Sequence, residues 1–149
     1  MTEQSIGASR LDHVAIAVKD LEAAVAFYEG VLGLKCQGRE RVPDQLVDIA
    51  FFGEGPGRIE LICPFTSDSG VAKFLQRRGE GLHHICLEVG DLKAALDKLK
   101  TEGFPLLDEI PRRGAGGAEI AFLHPKAASG VLLELKQRGT GHVPWPGPA

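Results

Sequence analysis

Four side chains in this sequence have the chemistry of a metal site. They are two histidines, His13 and His84, and two glutamates, Glu60 and Glu134, and each lies in a largely apolar segment. Imidazole nitrogens and carboxylate oxygens bind first-row divalent metals, and carboxylates also act as general bases. Burying a carboxylate is costly unless it is paired or bound to a metal, so these glutamates point to a function. The alternative for each histidine is an ordinary solvated position on a strand.

The four residues occupy matching positions because the chain repeats itself. LDHVAIAVKDLEAA (residues 11–24) aligns with LHHICLEVGDLKAA (residues 82–95) at an offset of 71 residues, and DIAFF aligns with EIAFL at the same offset. RIELI, which contains Glu60, aligns with LLELK, which contains Glu134, at an offset of 74 residues. The sequence therefore predicts a duplicated module whose second copy carries a short insertion.

Each copy predicts a strand, a helix and then further strands. The first strand covers Leu11–Val18, and the helix after it begins at the N-cap Asp20 and ends at Gly33. The matching helix of the second copy begins at Asp91 and ends at Gly103. The other predicted elements are a hairpin of Val47–Gly53 and Arg58–Pro64 around the turn EGPG, a short helix Val71–Arg78, and strands 82–89, 119–123 and 132–136.

The duplication also predicts how the four side chains meet. Each lies on the face of its strand opposite the apolar residues. If the first and last strands of each copy are neighbours, the pseudo-twofold axis between the copies brings two imidazoles and two carboxylates together. His83, which precedes His84, is expected to point the other way and to make a hydrogen bond rather than bind a metal.

Composition and charge narrow the class of protein. The 149 residues are 44% hydrophobic and 25% charged, with a net charge of -3 and no basic run, which argues against a nucleic-acid partner. No apolar stretch reaches the roughly 20 residues that span a bilayer, and MTEQSIGASR lacks the apolar core of a signal peptide. Cys36, Cys63 and Cys86 form no C-x-x-C pair, which suits a reduced, cytoplasmic protein.

We expect one domain over residues 11–137, built from modules at about 11–64 and 82–137. Residues 1–10 show no pattern and are predicted to be disordered. Residues 138–149 are rich in glycine and proline and are predicted to be a flexible tail.

The repeated His/Glu layout resembles the vicinal oxygen chelate (glyoxalase/bleomycin resistance/dioxygenase) superfamily. Within it, DHVAIAVKDLEAAVAFYEGVLGL, VPDQLVDIAFF, IELICP, GEGLHHICLEV, FLHPK and GVLLEL together resemble the methylmalonyl-CoA epimerases, over about Leu11 to Gln137. The resemblance implies an α+β fold of two paired βαβββ modules in a curved mixed sheet of about eight strands, with helices outside and the site in the concavity. It also implies a homodimer that acts on an acyl-CoA without nucleic-acid or membrane partners.

The resemblance further implies an activity and a metal. The chain would interconvert (R)- and (S)-methylmalonyl-CoA by a two-base proton transfer through a metal-stabilised enolate. The metal ligands would be His13, Glu60, His84 and Glu134, and some members have glutamine where Glu60 stands. The metal is typically Co²⁺, with Mn, Ni or Zn as alternatives.

The residues that would act as the two catalytic bases are assigned separately from the metal ligands. Glu134 is expected to be one base, and Glu60, its symmetry mate, is favoured as the other. Some family members place a glutamate in the strand that contains Asp48, where ungapped alignment puts Ile49. Alternation favours Asp48 facing the site, because Ile49 and Phe51 have the pattern of core residues.

The coenzyme A portion of the substrate requires positive charge and backbone donors. Lys126, Arg112, Arg113 and the free N–H groups of the loop RRGAGG are candidates, and Lys73, Arg77 and Arg78 on the short helix are weaker ones. His124 is expected to line the pocket or to cap a turn.

Two other functions remain open. A glyoxalase I-like lactoylglutathione lyase has a similar metal site and also transfers a proton through an enediolate. A metal-free binding protein of the same fold would not need histidine and glutamate at the four ligand positions. An extradiol dioxygenase is disfavoured, because those chains are usually longer.

Overall fold

Eight strands form one curled mixed sheet in the computed structural model, which describes residues 5–53 and 56–141. The strands are β1 (Arg10–Ala17), β2 (Cys36–Val42), β3 (Val47–Phe52), β4 (Arg58–Pro64), β5 (Gly81–Val89), β6 (Arg112–Arg113), β7 (Glu119–Leu123) and β8 (Leu133–Gln137). Their order in the sheet is β2-β3-β4-β1-β5-β8-β7-β6, which is symmetric about the central β1–β5 pair. The predicted α+β fold of two paired modules is confirmed.

The central strands join the two halves and carry the repeat. β1 pairs antiparallel with β5, and each of them pairs in parallel with the last strand of its own half, β4 or β8. The registers correspond, because Ala15 faces Glu60 in one half and Cys86 faces Glu134 in the other. The first and last strands of each copy are therefore neighbours, and the two glutamates occupy equivalent places.

Three helices begin at side-chain caps. α1 (Leu21–Val25) begins at Asp20 and α3 (Leu92–Thr101) begins at Asp91, and each aspartate accepts a hydrogen bond from a backbone N–H three residues further on. Both caps were predicted from the sequence. α2 (Gly70–Arg78) begins in the same way at Ser69.

The first predicted helix does not run to Gly33 in α-helical form. After Val25 it continues as a π-helix, Ala26–Val31, in which Leu32 donates its N–H to the carbonyl of Phe27. A π-helix has more residues per turn than an α-helix, so residues spaced for an α-helical stripe drift off the buried face. Leu32, which an α-helix would place on the same side as Leu21, Val25 and Tyr28, is 53% exposed.

The helices cover opposite faces of the sheet. α1 and α3 pack against the outer face, on clusters that include Phe52 and Leu61 in one half and Leu135 in the other. α2 instead contributes Val71 and Leu75 to a cluster on the inner face. The expectation that all helices lie outside therefore fails for α2.

The two edge strands, β2 and β6, are absent from the predicted elements. Neither strand shows alternating apolar and polar residues, since β2 reads CQGRERV and β6 consists of two arginines. Charged residues are typical of sheet edges, where they prevent pairing with other chains. A charged edge strand thus lacks the hydrophobic period by which the inner strands were recognised.

Several predicted features lie partly outside the described residues. The EGPG turn includes Glu54 and Gly55, and the predicted loose ends include residues 1–4 and 142–149. The domain limits therefore stay predictions. Among the residues that the structure describes, no helix has the length and apolar character needed to cross a membrane.

Candidate metal and catalytic site

His13, His84 and Glu134 meet on the inner face of the sheet where the two halves join. Nε2 of His13 lies 3.4 Å from Nε2 of His84. Oε1 of Glu134 lies 3.1 Å from the first of these nitrogens and 3.2 Å from the second. All three side chains are buried, so three of the four predicted ligands present one atom each to a common point.

The geometry of these three atoms suits a shared cation. Ligand atoms about 2.1 Å from one metal ion are separated by about 3.0 Å at a right angle and about 3.4 Å at a tetrahedral angle. Among the described residues, Oε1 of Glu134 is buried and makes no hydrogen bond, although it lies between two ring nitrogens. A buried carboxylate oxygen without a hydrogen bond is costly, and a divalent ion would satisfy it. The residues present therefore fit a divalent metal.

Glu60 is buried at the same site but contacts the other side of the His13 ring. Its Oε2 lies 3.2 Å from Nδ1 of His13 and accepts a hydrogen bond from Nη2 of Arg58 at 3.4 Å. It does not belong to the cluster in which the other three ligand atoms all approach one another. Glu60 as a fourth ligand accordingly remains a prediction, and it would require a rotation of the carboxylate toward Nε2.

Opposite charges at the site offset the effect of burial. Burial alone would lower the pKa of His13, but the Glu60 carboxylate and the hydrogen bond to Asp12 hold that pKa well above its usual value. Burial would likewise raise the pKa of Glu134, but the imidazoles of His84 and His13 hold it well below its usual range. For Glu60, burial prevails and raises the pKa. The two glutamates therefore differ electrostatically although their positions are equivalent.

Two β-bulges shape the site. In the β1–β5 pair the register skips one residue at Asp12 on β1 and one at His83 on β5, at equivalent positions of the two halves. A bulge interrupts the alternation of a strand, so neighbouring side chains can lie on the same side. Asp12 contacts Nδ1 of His13 at 2.7 Å through Oδ2, and Nδ1 of His83 lies 2.8 Å from Nδ1 of His84.

The predicted orientation of His83 is therefore wrong. Its ring turns toward His84 because the bulge breaks the alternation on which the prediction rested. The predicted hydrogen bond is made, but its partner is the neighbouring imidazole rather than a group on the far side of the strand.

A buried cluster of charges lies behind His13. Asp12 accepts hydrogen bonds from Nζ of Lys136 at 3.1 Å and from Nη2 of Arg58 at 3.3 Å. Burial would raise the pKa of Asp12, but the hydrogen bond from His13 and the charge of Lys136 hold it well below its usual range. The repeat does not reveal this cluster, because its members Asp12, Arg58 and Lys136 lie on three different strands. A signal was present for Lys136, which alternation places on the same face as Glu134.

The structure separates Asp48 from the site. Asp48 pairs with Arg41 of β2, with Nε 2.7 Å from Oδ1, and it shares the outer face of β3 with Ala50 and Phe52. Ile49 is the residue of β3 that lines the small cavity at the candidate ligands. The prediction that Asp48 faces the site is wrong, because the inner face of β3 is itself apolar and buried.

A larger cavity of about 700 Å³ opens beside the candidate ligands. His84, Ile62 and Gln45 belong to the walls of both cavities, so the two spaces adjoin. The wall of the larger cavity is apolar at Phe74 and Phe122. Its cationic residues are Lys73, Arg77, Arg78 and Arg112.

The other candidates for binding coenzyme A lie elsewhere. Lys126 and Arg113 are not among the wall residues of the larger cavity. His124 accepts a hydrogen bond from the N–H of Lys126, so it caps a turn, which was one of its two predicted roles. Of the candidates for coenzyme A, the ones that line the cavity are Arg112 of β6 and the three cations of α2.

Three of the four backbone donors in the GAGG part of the loop RRGAGG, which were expected to be free, are already engaged. The N–H of Gly116 donates to both carboxylate oxygens of Glu40 on β2. The N–H groups of Gly114, Gly117 and Ala118 donate to carbonyls within the same loop. The loop instead bonds the edge of one half to the edge of the other.

The sequence and the fold match known proteins. A model of the Glyoxalase/Bleomycin resistance protein/Dioxygenase superfamily matches residues 12–122. The chain is 44% identical over 129 residues to the human mitochondrial methylmalonyl-CoA epimerase. The aligned region covers 86% of this chain and 73% of that protein. It is 45% identical over 130 residues to the ethylmalonyl-CoA/methylmalonyl-CoA epimerase of Cereibacter sphaeroides. That alignment covers 86% of this chain and 97% of the relative.

A solved structure has the same fold. A variant of the Streptomyces coelicolor methylmalonyl-CoA epimerase in complex with 2-nitronate-propionyl-CoA superimposes with a TM-score of 0.84 at 35% identity, over 93% of this chain and 100% of that one. The duplicated fold, the converging imidazoles and carboxylate and these matches agree with one another. The chain belongs to the glyoxalase/bleomycin resistance/dioxygenase superfamily, known also as the vicinal oxygen chelate superfamily, and within it to the family of methylmalonyl-CoA epimerases.

Proposed function

We propose that this chain interconverts (R)- and (S)-methylmalonyl-CoA by removing the proton at C2 and returning one to the opposite face. The observation that carries the proposal is the convergence of His13, His84 and Glu134 on one buried point beside a cavity with cationic walls. The matches to epimerases of methylmalonyl-CoA and ethylmalonyl-CoA support the substrate class.

In this proposal, His13, His84 and Glu134 hold a divalent metal, and Glu60 is the fourth ligand. The family resemblance favours Co²⁺, with Mn, Ni or Zn as alternatives, because imidazole and carboxylate suit all of them. When bound, the metal supplies Lewis-acid stabilisation of the negative charge that develops on the thioester oxygen.

The protein's own carboxylates carry the proton. Glu60 and Glu134 lie at equivalent positions of β4 and β8, on opposite sides of the central strand pair. A substrate held between them presents one face of C2 to each half of the chain. One glutamate accepts the proton, the other donates one, and the roles exchange with the direction of the reaction.

The surrounding walls bind and shield the substrate. Burial of the site keeps water away from the carbanionic carbon, and Ile49 and Ile62 supply apolar walls close to the ligands. Arg77 and Arg78 at the end of α2 are positioned to meet the phosphates of coenzyme A in the larger cavity.

The assembly and the location of the protein are also proposals, supported by the family resemblance and by the unpaired cysteines. We infer a homodimer that acts in the cytoplasm on a free acyl-CoA. Cys36, Cys63 and Cys86 are free, as expected in a reducing compartment. Sedimentation of the purified protein tests the dimer.

A substrate comparison tests the activity. The metal-loaded protein is assayed with single epimers of methylmalonyl-CoA and ethylmalonyl-CoA, and with the hemithioacetal of methylglyoxal and glutathione. Epimerisation of an acyl-CoA without hemithioacetal turnover supports the proposal. Turnover of the hemithioacetal alone identifies a lactoylglutathione lyase, and tight binding without turnover or metal identifies a binding protein.

A further inference from the structure

We propose that Asp12 and His83 are paired positioning residues, which hold the imidazoles of His13 and His84 with Nε2 directed at the metal. This inference rests on the metal site proposed above. It starts from the two β-bulges, which occur at equivalent positions of the halves and place the residue before each candidate ligand beside its ring.

The contacts are made at the ring nitrogen that faces away from the common point. Oδ2 of Asp12 lies 2.7 Å from Nδ1 of His13, and Nδ1 of His83 lies 2.8 Å from Nδ1 of His84. The group that binds one ring nitrogen of a histidine determines which nitrogen is left for a metal. Both bulged residues thus leave Nε2 free, and the two Nε2 atoms are the ones that approach each other.

Only one placement of the ring protons of His83 and His84 is compatible with metal binding by Nε2 of His84. If Nε2 of His84 binds the metal, its Nδ1 carries the proton and donates it. Nδ1 of His83 is then the acceptor, and His83 is neutral with its proton on Nε2. The edge-to-face contact of His83 with Phe74 of α2, with ring centroids 5.0 Å apart, holds the acceptor in place.

The two positioning residues differ in charge. Asp12 is an anion that Lys136 and Arg58 hold from behind, whereas His83 is uncharged in the arrangement above. A carboxylate partner makes a ligating imidazole more basic than a neutral partner does. We therefore expect Asp12→Asn to weaken metal binding by a few-fold, and His83→Asn, which retains an acceptor near Nδ1, to change it little.

The experiment measures Zn²⁺ affinity by calorimetry and the ring protons by ¹⁵N-edited NMR. His83→Leu removes the acceptor. The paired variant Asp12→Leu with Lys136→Met removes the carboxylate together with one of its two buried cationic partners, and the other, Arg58, keeps Glu60 as a partner. Each variant is expected to weaken Zn²⁺ binding by about 10–100-fold. His83→Leu should also remove the protected Nδ1–H signal of His84 but not that of His13, and the paired variant should do the reverse. His124→Leu, at a turn cap that lines neither cavity, should do neither.

The outcomes distinguish this inference from the metal site itself. Variants that fold, bind Zn²⁺ within threefold of the unmodified protein and keep both signals overturn the positioning roles. An unmodified protein that binds no divalent ion contradicts the proposed metal site instead. In that case, or if a variant does not fold, NMR of the unmodified chain decides: a His84 ring protonated at Nε2 and bare at Nδ1 overturns the inference.

Discussion

The Nε2 atoms of His13 and His84 lie 3.4 Å apart across the two antiparallel strands that join the halves of the chain. In that strand pair Cys86 faces His13 and Ala15 faces His84, so the histidines are related by the axis of the duplication. Each half contributes one imidazole and one carboxylate. Neither half contains the site alone, and we expect metal binding to be linked to the pairing of the halves.

Removal of the metal should abolish activity reversibly. Dialysis against a strong chelator is expected to remove one divalent ion per chain without unfolding the protein, because the hydrophobic clusters do not depend on the site. Elemental analysis measures the metal content, and addition of Co²⁺ should restore turnover. Full activity in protein without measurable metal would contradict the proposed Lewis-acid role.

Loss of charge should lower kcat at Glu60 but not at Asp48. Glu60→Gln is expected to keep the metal, since an amide oxygen can still bind it, and to lower kcat by about 10²–10⁴-fold through loss of one base. Asp48→Asn is the matched control and should leave kcat within about twofold, because Asp48 pairs with Arg41 on the outer face. Full activity of the Glu60 variant with loss in the Asp48 variant would reverse the assignment.

The cations of α2 should affect substrate binding rather than the proton transfer. Arg77→Ala and Arg78→Ala are each expected to raise KM for methylmalonyl-CoA about 2–5-fold at unchanged kcat, as exposed ion pairs contribute up to about 1 kcal/mol. The effect should shrink at high salt. Arg113→Ala, at an exposed position outside the cavity wall, should leave KM unchanged. Equal effects of all three substitutions would argue against binding in this cavity.

The repeat in the sequence was sufficient to predict that His13 and His84, and Glu60 and Glu134, occupy equivalent positions of the two halves. Their equivalence depended only on alignment of the two copies and on the pairing of the first and last strands, which the registers confirm. The inner strands and the helix caps could be predicted for a similar reason, because periodicity and cap chemistry are local signals.

Asp12 and His83 could not be placed in this way. Strand alternation assigns each to the face opposite the neighbouring histidine, and only the bulges bring them back. A bulge depends on how two distant strands register, which a local pattern does not contain. The same limit applies to α2, whose packing on the inner face follows from the curl of the sheet.

The buried charge of Lys136 should contribute to stability. Lys136→Met leaves Asp12 with Arg58 and His13 as partners, and we expect the free energy of unfolding to fall by about 3 kcal/mol. Lys98→Met removes a more exposed ion pair with Glu102 on α3 and should change the free energy of unfolding by at most about 0.5 kcal/mol. Urea denaturation of both variants measures the difference. Equal stabilities would indicate that the buried cluster is not stabilising.

Exchange of the C2 proton into D2O tests the account most directly. Methylmalonyl-CoA is incubated with the metal-loaded protein in D2O, and loss of the C2–H signal is followed by NMR. We predict rapid exchange of both epimers, each assayed separately, that falls by at least about 100-fold after chelation. In Glu134→Gln the same fall is expected for the epimer whose C2 proton faces Glu134, while Glu119→Gln, at an exposed position of β7, exchanges normally. Exchange at the unmodified rate both without metal and in Glu134→Gln would contradict the proposed site.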